Sequence, residues 1–187
     1  KWLAGCAAVA CLPEGANLEG VLIFVGKQAL GKTQWMKSLA PNRDWLLEGA
    51  TLNPSDKDSV KHAVSHWIVE LGELGSTFKK ADIDQLKAFL TKSKDELRLP
   101  YGRTFSRYQR RTAFYGSVNE REILVDPTGN RRFWIVHVNN INFQHGIDMQ
   151  QLWAEVLHRV HRGEQTWFLT SEERERLQVS NEMSRTQ

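Results

Sequence analysis

The stretch that decides the fold is Val21-Leu22-Ile23-Phe24-Val25-Gly26-Lys27-Gln28-Ala29-Leu30-Gly31-Lys32-Thr33. Five apolar residues lead directly into a Gly-x-x-x-x-Gly-Lys-Thr pattern, and residues 34–39 continue with helix-like spacing. A buried strand, a glycine-rich turn and a helix N-terminus in this order are typical of a phosphate-binding loop. The sequence therefore predicts a strand at 21–25 and a helix at 32–39 that together bind a nucleoside triphosphate.

Each residue type in this loop has a chemical reason. The two glycines let the backbone curl so that successive N–H groups face phosphate oxygens, and the positive end of the following helix adds to that field. Lys32 can reach the β- and γ-phosphates, and the Thr33 hydroxyl can ligate Mg²⁺. The alternative is a chance match in a glycine-containing loop, which the flanking strand and helix disfavour. The predicted nucleotide-binding set, with ATP and Mg²⁺ as cofactors, is Gly26, Lys27, Gln28, Ala29, Leu30, Gly31, Lys32, Thr33 and Gln34.

Length and composition are those of one ordinary globular domain. The 187 residues are 41% hydrophobic and 25% charged, and the net charge of +3 permits nucleic-acid contact without demanding it. No apolar run approaches the roughly 20 residues that span a bilayer, so no membrane partner is expected. Lys1 in place of a methionine indicates a piece of a longer protein. Cys6 and Cys11 lack further ligands at metal-binding spacing and are predicted to be buried, reduced thiols.

Strands and helices alternate along the rest of the chain. Further strands are predicted at 45–47, 66–70, 112–119 and 133–138, and helices at 1–10, about 56–64, 80–90, 149–160 and from 171 onward. This alternation predicts an α/β layered domain with a mostly parallel central sheet. We divide the chain into an N-terminal helical segment at 1–19, a phosphate-loop core at 20–140 and a C-terminal helical segment at 141–187.

Polar residues end two of the predicted strands, where the carboxyl edge of a parallel sheet would place them beside the phosphate loop. Glu70 ends the strand at 66–70, and Glu73 follows three residues later. We assign Glu70 to Mg²⁺ and Glu73 to the attacking water. Asn119 ends the strand at 112–119 and is predicted to hydrogen-bond the γ-phosphate and the water. The competing interpretations are a solvent-facing acid for Glu70 and a turn residue for Asn119.

A pair of arginines, Arg131 and Arg132, follows the turn at 126–130. An arginine carried on a loop can stabilise the charge that develops at a neighbouring subunit's nucleotide. One of the pair is therefore predicted to act as such a finger, although the sequence does not say which. The alternative is a solvated basic pair.

A second arginine-rich run occupies residues 98–111 and is predicted to form a hairpin or an extended excursion. Tyrosine and phenylalanine residues interleave with its arginines. Positive charge mixed with stacking side chains is typical of a groove for single-stranded nucleic acid, so Arg103, Arg107 and Arg110 are candidate contacts. The alternative is a basic excursion that packs on its own domain.

In this order the motifs resemble the virulence-associated protein E family of phage, prophage and plasmid ATPases, which are related to the superfamily-three helicases. The resemblance covers residues 20–138, through 26–33, 67–74, 87–90, 100–103, 116–120 and 126–134. The blocks Glu-Leu-Gly-Glu-Leu at 70–74 and Pro-Thr-Gly-Asn-Arg-Arg-Phe-Trp at 127–134 are more specific than the phosphate loop.

The resemblance implies a P-loop NTPase fold of the AAA+ and superfamily-three helicase type. It also implies an ATPase that acts as a DNA helicase in the replication module of a mobile element, in the bacterial cytoplasm. Its partners would be single-stranded DNA, further copies of itself in a ring, and a primase-like region upstream. The resemblance gives the acidic-strand role to Glu70 and Glu73, the sensor role to Asn119 and the finger role to Arg131 or Arg132. Because Glu70 stands where aspartate is more usual, the division of roles between the two glutamates stays open.

Two other functions are compatible with the residues. A nucleotide-dependent switch or assembly module that never unwinds DNA would fit the mild net charge. A small-molecule kinase would fit the phosphate loop, but the long spacing from the acids to the sensor and the Asn-Arg-Arg turn count against it.

Overall fold

A parallel sheet organises the molecule. The computed structural model describes residues 1–72, 80–97, 104, 106–119 and 131–183. The strands are β1 (Val21–Val25), β2 (Leu46–Ala50), β3 (Ile68–Leu71), β4 (Lys94–Leu97), β5 (Ser106–Gln109), β6 (Ala113–Val118) and β7 (Phe133–His137). The helices are α1 (Trp2–Cys11), α2 (Lys32–Leu39), α3 (Lys57–Val64), α4 (Lys80–Leu90), α5 (Met149–His161) and α6 (Ser171–Met183). Among these residues five strands form one wholly parallel sheet in the order β2-β3-β6-β1-β7, and β4 and β5 form an antiparallel pair.

The order of the strands confirms the predicted α/β class and its parallel sheet. The three central strands are short apolar runs that are almost wholly buried, as expected where helices cover both faces of a sheet. The strand predicted at 45–47 begins one residue later and continues to Ala50, because Arg43–Trp45 forms a single 3-10 turn. The other boundaries match the predictions or differ by one residue, except for the start of β3, which lies two residues later than predicted.

Each face of the sheet has its own apolar layer. On the face of α1, α2 and α5, Trp2 and Trp153 pack with Tyr115 and Met36. Both tryptophans are buried and keep their indole N–H groups bonded: Trp2 donates to the Phe114 carbonyl oxygen at 3.0 Å and Trp153 to that of Leu39 at 2.7 Å. The opposite layer is formed by the other face of the strands with side chains of α3 and α4. Helices α1 and α5, which precede and follow the strands in the sequence, are therefore part of the packed domain.

Side-chain caps fix the starts of three helices. Asp56 caps α3, since its carboxylate accepts from the second backbone N–H of the helix. Asp148 caps α5 by accepting from the third, that of Gln151. At α6 Thr170 pairs reciprocally with Glu173: the Thr170 N–H donates to the carboxylate at 2.8 Å, and the Glu173 N–H donates to the hydroxyl at 3.3 Å.

The β4–β5 hairpin accounts for the described part of the arginine-rich run. Residues 106–109 pair antiparallel with residues 94–97, a strand that lies before the predicted run and was not predicted, while residues 98–103 and 105 lie outside the described ranges. Arg110 follows β5 and donates to both carboxylate oxygens of Asp95 and to the Phe89 carbonyl oxygen at 2.7 Å. Its guanidinium also stacks on the Phe89 ring, 4.1 Å from the centroid. This arginine fastens the hairpin to α4.

The cysteine prediction is half right. Cys6 is buried, and burial raises the pKa of its thiol, but Cys11 is exposed because it is the last residue of α1. Neither forms a disulfide. In the described part of the chain, none of the helices has the length and apolar character needed to cross a membrane.

Candidate nucleotide site

The phosphate loop joins the end of β1 to the start of α2 in a conformation that its glycines permit. Gly31 has a φ of +86°, in the left-handed region, and Ala29 has a φ of +61°. A Cβ atom at Gly26 would lie 2.3 Å from the carbonyl oxygen of Val138, just beyond β7. Any larger residue at position 26 would push the loop away from the sheet.

The Lys32 side chain lies inside the loop. Its ammonium donates to the carbonyl oxygens of Gly26 at 2.6 Å and Lys27 at 2.8 Å, and only 9% of the residue is exposed. The positive charge is therefore held at the first turn of α2, where the helix dipole also favours an anion.

A cavity of about 420 Å³ opens over the loop. Its wall joins residues 28–34 to Ser117, Val118 and Asn119 at the end of β6. Most of the predicted nucleotide-binding residues thus line one space, while Gly26 and Lys27 contribute the carbonyl groups behind it. Asn119 reaches the loop because β6 pairs directly with β1, with Val118 opposite Val25.

Glu70 lies one strand further from the loop. Its strand, β3, is separated from β1 by β6, and its carboxylate accepts a hydrogen bond of 2.9 Å from the Ser117 hydroxyl. Glu70 is only 9% exposed and is not among the residues lining the cavity, whereas Ser117 is. The sequence analysis places Ser117 in a strand but gives it no role in the site. The available signal was strand periodicity, since Ser117 and Asn119 alternate onto one face of β6.

Tyr115 lies directly opposite Glu70 in the pairing of β6 with β3 and is fully buried. Burial and the negative charges of Glu70 and Glu48 raise the pKa of the Tyr115 phenol. The phenol therefore stays neutral at physiological pH. The carboxylate of Glu70 has two hydroxyl-bearing residues as neighbours on β6, and neither adds a second negative charge.

Thr33 and Glu70 are the described residues that would hold Mg²⁺. Both offer oxygen ligands, which suit this cation, and Thr33 lines the cavity. Within the described ranges, no group of three or more histidine, cysteine, aspartate or glutamate side chains is placed to bind a metal. Sparse protein ligation is usual for Mg²⁺, which keeps several waters and binds the phosphates of its substrate. Glu73, predicted to act on the attacking water, lies outside the described residues.

Arg131 and Arg132 lie at the opposite end of the sheet from the loop. They precede β7, whose register places Phe133 beside Val21 and His137 beside Val25. The Arg132 carbonyl oxygen accepts from the Val21 N–H at 2.7 Å. From Val21 to Val25 is a span of about 13 Å at roughly 3.3 Å per residue. Within one subunit, the backbone of this arginine pair is therefore far from the phosphate loop.

The candidate nucleic-acid contacts have different environments. The structure does not support Arg110 as a contact for nucleic acid. Its residue is only 4% exposed, and its guanidinium forms an ion pair with the equally buried Asp95 inside the domain. Arg107 is exposed on β5 and forms a 2.6 Å ion pair with Glu96. Arg103 lies outside the described residues. Sequence alone did not distinguish the buried arginine from the exposed one.

Comparison with known proteins agrees with this architecture. The model of the virulence-associated protein E-like domain matches residues 1–186. A structure described as the A form apo structure of the NrS-1 C-terminal region superimposes with a TM-score of 0.52 and 15% identity, covering 96% of this chain and 46% of that one. Another structure of that region, described as apo, has a TM-score of 0.49 and 16% identity, covering 95% and 43%. The chain thus spans less than half of either structure, and the likeness to the first shows a shared fold. No curated protein matches the chain.

Proposed function

The chain belongs to the virulence-associated protein E-like domain family, and on that basis we propose that it is the ATP-hydrolysing motor domain of a DNA helicase from a phage or plasmid replication module. The observation that carries the proposal is the cavity in which Lys32, Thr33 and Asn119 meet. A cationic side chain, a hydroxyl and an amide around one space are the groups needed to bind a triphosphate and sense its terminal phosphate.

Binding of the triphosphate follows from the loop. The Lys32 ammonium, which bonds to the carbonyl oxygens of Gly26 and Lys27, is positioned to add phosphate oxygens as further acceptors. The backbone N–H groups of the loop and the N-terminus of α2 supply the remaining positive field. Magnesium, when bound, supplies charge neutralisation at the β- and γ-phosphates, and Thr33 and Glu70 would hold it.

Hydrolysis needs a water that is oriented toward the γ-phosphate. Asn119 extends from the end of β6 into the cavity wall, where its amide can bond both the phosphate and the water. Glu70 supplies a carboxylate from β3, on the far side of β6 from the loop, and Glu73 follows it three residues later in the sequence. We assign Glu70 to the magnesium side and Glu73 to the water, as their order along the chain suggests.

The positions of Arg131 and Arg132 support a site shared between subunits. The phosphate loop is at the carboxyl end of the sheet, and the arginine pair is at its amino end. In a head-to-tail ring, the amino end of one subunit can face the carboxyl end of the next, so that each interface is completed by residues from both. An arginine of the pair then neutralises the charge that develops on the neighbour's γ-phosphate.

A nucleotide-dependent switch or assembly module is the second candidate, and the arginine-rich run favours it. Arg110 forms a buried ion pair with Asp95. Arg111 donates to the carbonyl oxygens of Val9 at 3.0 Å and Leu12 at 2.7 Å near the end of α1. Two arginines of the predicted nucleic-acid groove are therefore structural. Binding of single-stranded oligonucleotides that weakens steeply with salt would count against the switch, because phosphate contacts release counterions.

The test is ATP hydrolysis with and without single-stranded DNA, over a range of protein concentrations. The motor should show DNA-stimulated turnover that rises faster than concentration and is lost in both Lys32→Ala and Arg132→Ala. A mixture of the two inactive variants should recover part of the activity if the arginine acts in trans. The control is Arg162→Ala, which removes an exposed arginine whose 2.6 Å partner is Glu164 and which should hydrolyse ATP like the unaltered chain.

Two results would redirect the proposal. Turnover that is independent of DNA and concentration, and is lost only in Lys32→Ala, would favour the switch. Nucleotide binding without hydrolysis under any of these conditions would contradict a motor altogether.

A further inference from the structure

Ser117 both lines the nucleotide cavity and contacts the buried carboxylate of Glu70. We propose that Ser117 is a positioning residue, which fixes the Glu70 carboxylate toward the magnesium-bound nucleotide. The inference rests on the proposed function, because it assigns a role within the same nucleotide site.

The order of the sheet explains why Glu70 needs such a residue. In the order β3-β6-β1, the strand that carries Glu70 does not touch the strand that leads into the phosphate loop. The glutamate must therefore act across the width of β6. Its side chain has three rotatable bonds, and an unrestrained carboxylate would lose entropy each time it adopted the productive orientation. A hydrogen bond of 2.9 Å to one oxygen removes much of that freedom beforehand.

Ser117 is itself held firmly. It lies in β6 with Phe24 of β1 as its partner in the pairing, and the next residue toward the N-terminus, Gly116, pairs with both β1 and β3. A single rotatable bond separates a serine hydroxyl oxygen from the backbone, so only three staggered positions are open to it. The hydroxyl is thus a donor with little freedom to move, which is what a carboxylate needs from its supporting residue.

The other neighbour of the carboxylate on β6 does not take over this task. Tyr115 lies opposite Glu70, but its buried hydroxyl has no hydrogen-bond partner within the described part of the chain. Tyr115 is also not among the residues lining the cavity. Ser117 is therefore the β6 residue that bonds the Glu70 carboxylate from the side of the nucleotide.

The experiment compares Ser117→Ala and Ser117→Thr. Ser117→Ala should lower kcat for ATP about tenfold to a hundredfold, the usual effect of removing a residue that orients a metal ligand. The KM for ATP should change little, because the loop that binds the phosphates is intact. Ser117→Thr keeps the hydroxyl on a residue that favours strands and should recover most of the activity. The matched control is Thr112→Val, which removes a hydroxyl just before β6 that donates to the His66 carbonyl oxygen at 2.7 Å, remote from the cavity.

A second measurement separates this inference from the proposed function. Binding of a non-hydrolysable ATP analogue is titrated with Mg²⁺, without any turnover. Ser117→Ala should need a higher Mg²⁺ concentration for half-maximal binding, while binding in the absence of Mg²⁺ is unchanged. If the unaltered chain binds the analogue but hydrolyses no ATP, the motor function fails, and this Mg²⁺ shift still decides the role of Ser117.

The inference is overturned by either of two results. Ser117→Ala could match the unaltered chain in both kcat and Mg²⁺ requirement, which would leave the hydroxyl with no role. Alternatively, Ser117→Ala and Ser117→Thr could both lose analogue binding without Mg²⁺ together with kcat, which would show a purely structural effect on the loop.

Discussion

The two ends of the parallel sheet carry different chemistry. At the carboxyl end, Lys32, Asn119 and the Ser117–Glu70 pair surround a cavity of about 420 Å³ with polar and charged groups. At the amino end, a cavity of the same volume is lined by aromatic side chains together with Arg131 and Arg174. The first end places a lysine, hydroxyl groups and an amide around one space, and the second combines arginines with aromatic side chains. Under the proposed function, each chain would carry two half-sites, which neighbouring copies of the chain would complete.

The largest expected effect comes from the arginine pair, because it tests whether the amino end completes a neighbour's site. Replacing the finger with alanine should lower ATP turnover about a thousandfold or more, with nucleotide affinity retained. Steady-state hydrolysis and analogue binding of Arg131→Ala and Arg132→Ala measure this separately for each position. Equal and small losses in both would mean that the two ends act independently.

Arg110 differs from the exposed arginines because its guanidinium forms a buried ion pair with Asp95 inside the domain. Arg110→Ala leaves the Asp95 carboxylate buried without its partner and should lower the free energy of unfolding by about 3–5 kcal/mol. Urea denaturation measures the loss. Arg107→Ala, which breaks an exposed pair, should cost at most about 1 kcal/mol. A similar cost for both variants would show that the hairpin does not depend on the buried pair.

Lys32 tests the carboxyl end alone. Lys32→Ala should lower hydrolysis about a hundredfold to a thousandfold, because it removes the fixed positive charge from the loop. Lys37→Ala is the control in the same helix: it breaks only a 2.9 Å pair with the half-exposed Glu48. Hydrolysis rates and calorimetric nucleotide binding distinguish the two lysines. Normal turnover in Lys32→Ala would remove the loop from the mechanism.

The smallest effect concerns α6, which lies at the amino end and contacts β7 through a 3.1 Å bond from Asn181 to the Phe133 carbonyl oxygen. Thr170→Ala removes the cap of this helix and should cost about 1 kcal/mol, or about 2–4 °C in Tm. Thermal unfolding followed by circular dichroism measures the shift. Nucleotide binding should not change, and a coupled loss of binding would show that the two ends communicate within one subunit.

The sequence predicted those parts of the fold that have local signatures. The phosphate loop, its strand and its helix follow from residues 21–39, and Asn119 was placed at the loop because it ends an apolar strand. The Glu70–Ser117 contact was not predicted, because it depends on β6 lying between β3 and β1. Strand order is set by packing between distant segments and leaves no pattern within any one of them.

Burial of charge was equally hard to predict from sequence. Arg107 and Arg110 are three residues apart in the same basic run, yet one is exposed and the other is buried. What separates them is the pairing of β4 with β5, which brings Asp95 beneath Arg110. The exposed Cys11 was missed for a related reason, since a short apolar stretch does not show where its helix leaves the core.

The position of β6 between two parallel strands links the folding of the core to the geometry of the site. Its side chains alternate, so Phe114 and Val118 pack in one apolar layer while Tyr115 and Ser117 face the other side. A slip of β6 by one residue would exchange these two sets between the layers, so that Phe114 and Val118 would no longer fit their neighbours and Ser117 would leave the cavity. Correct folding of the core and correct placement of Ser117 and Asn119 are therefore the same event. A chain that pairs wrongly should be inactive as well as unstable, with no partly working form in between.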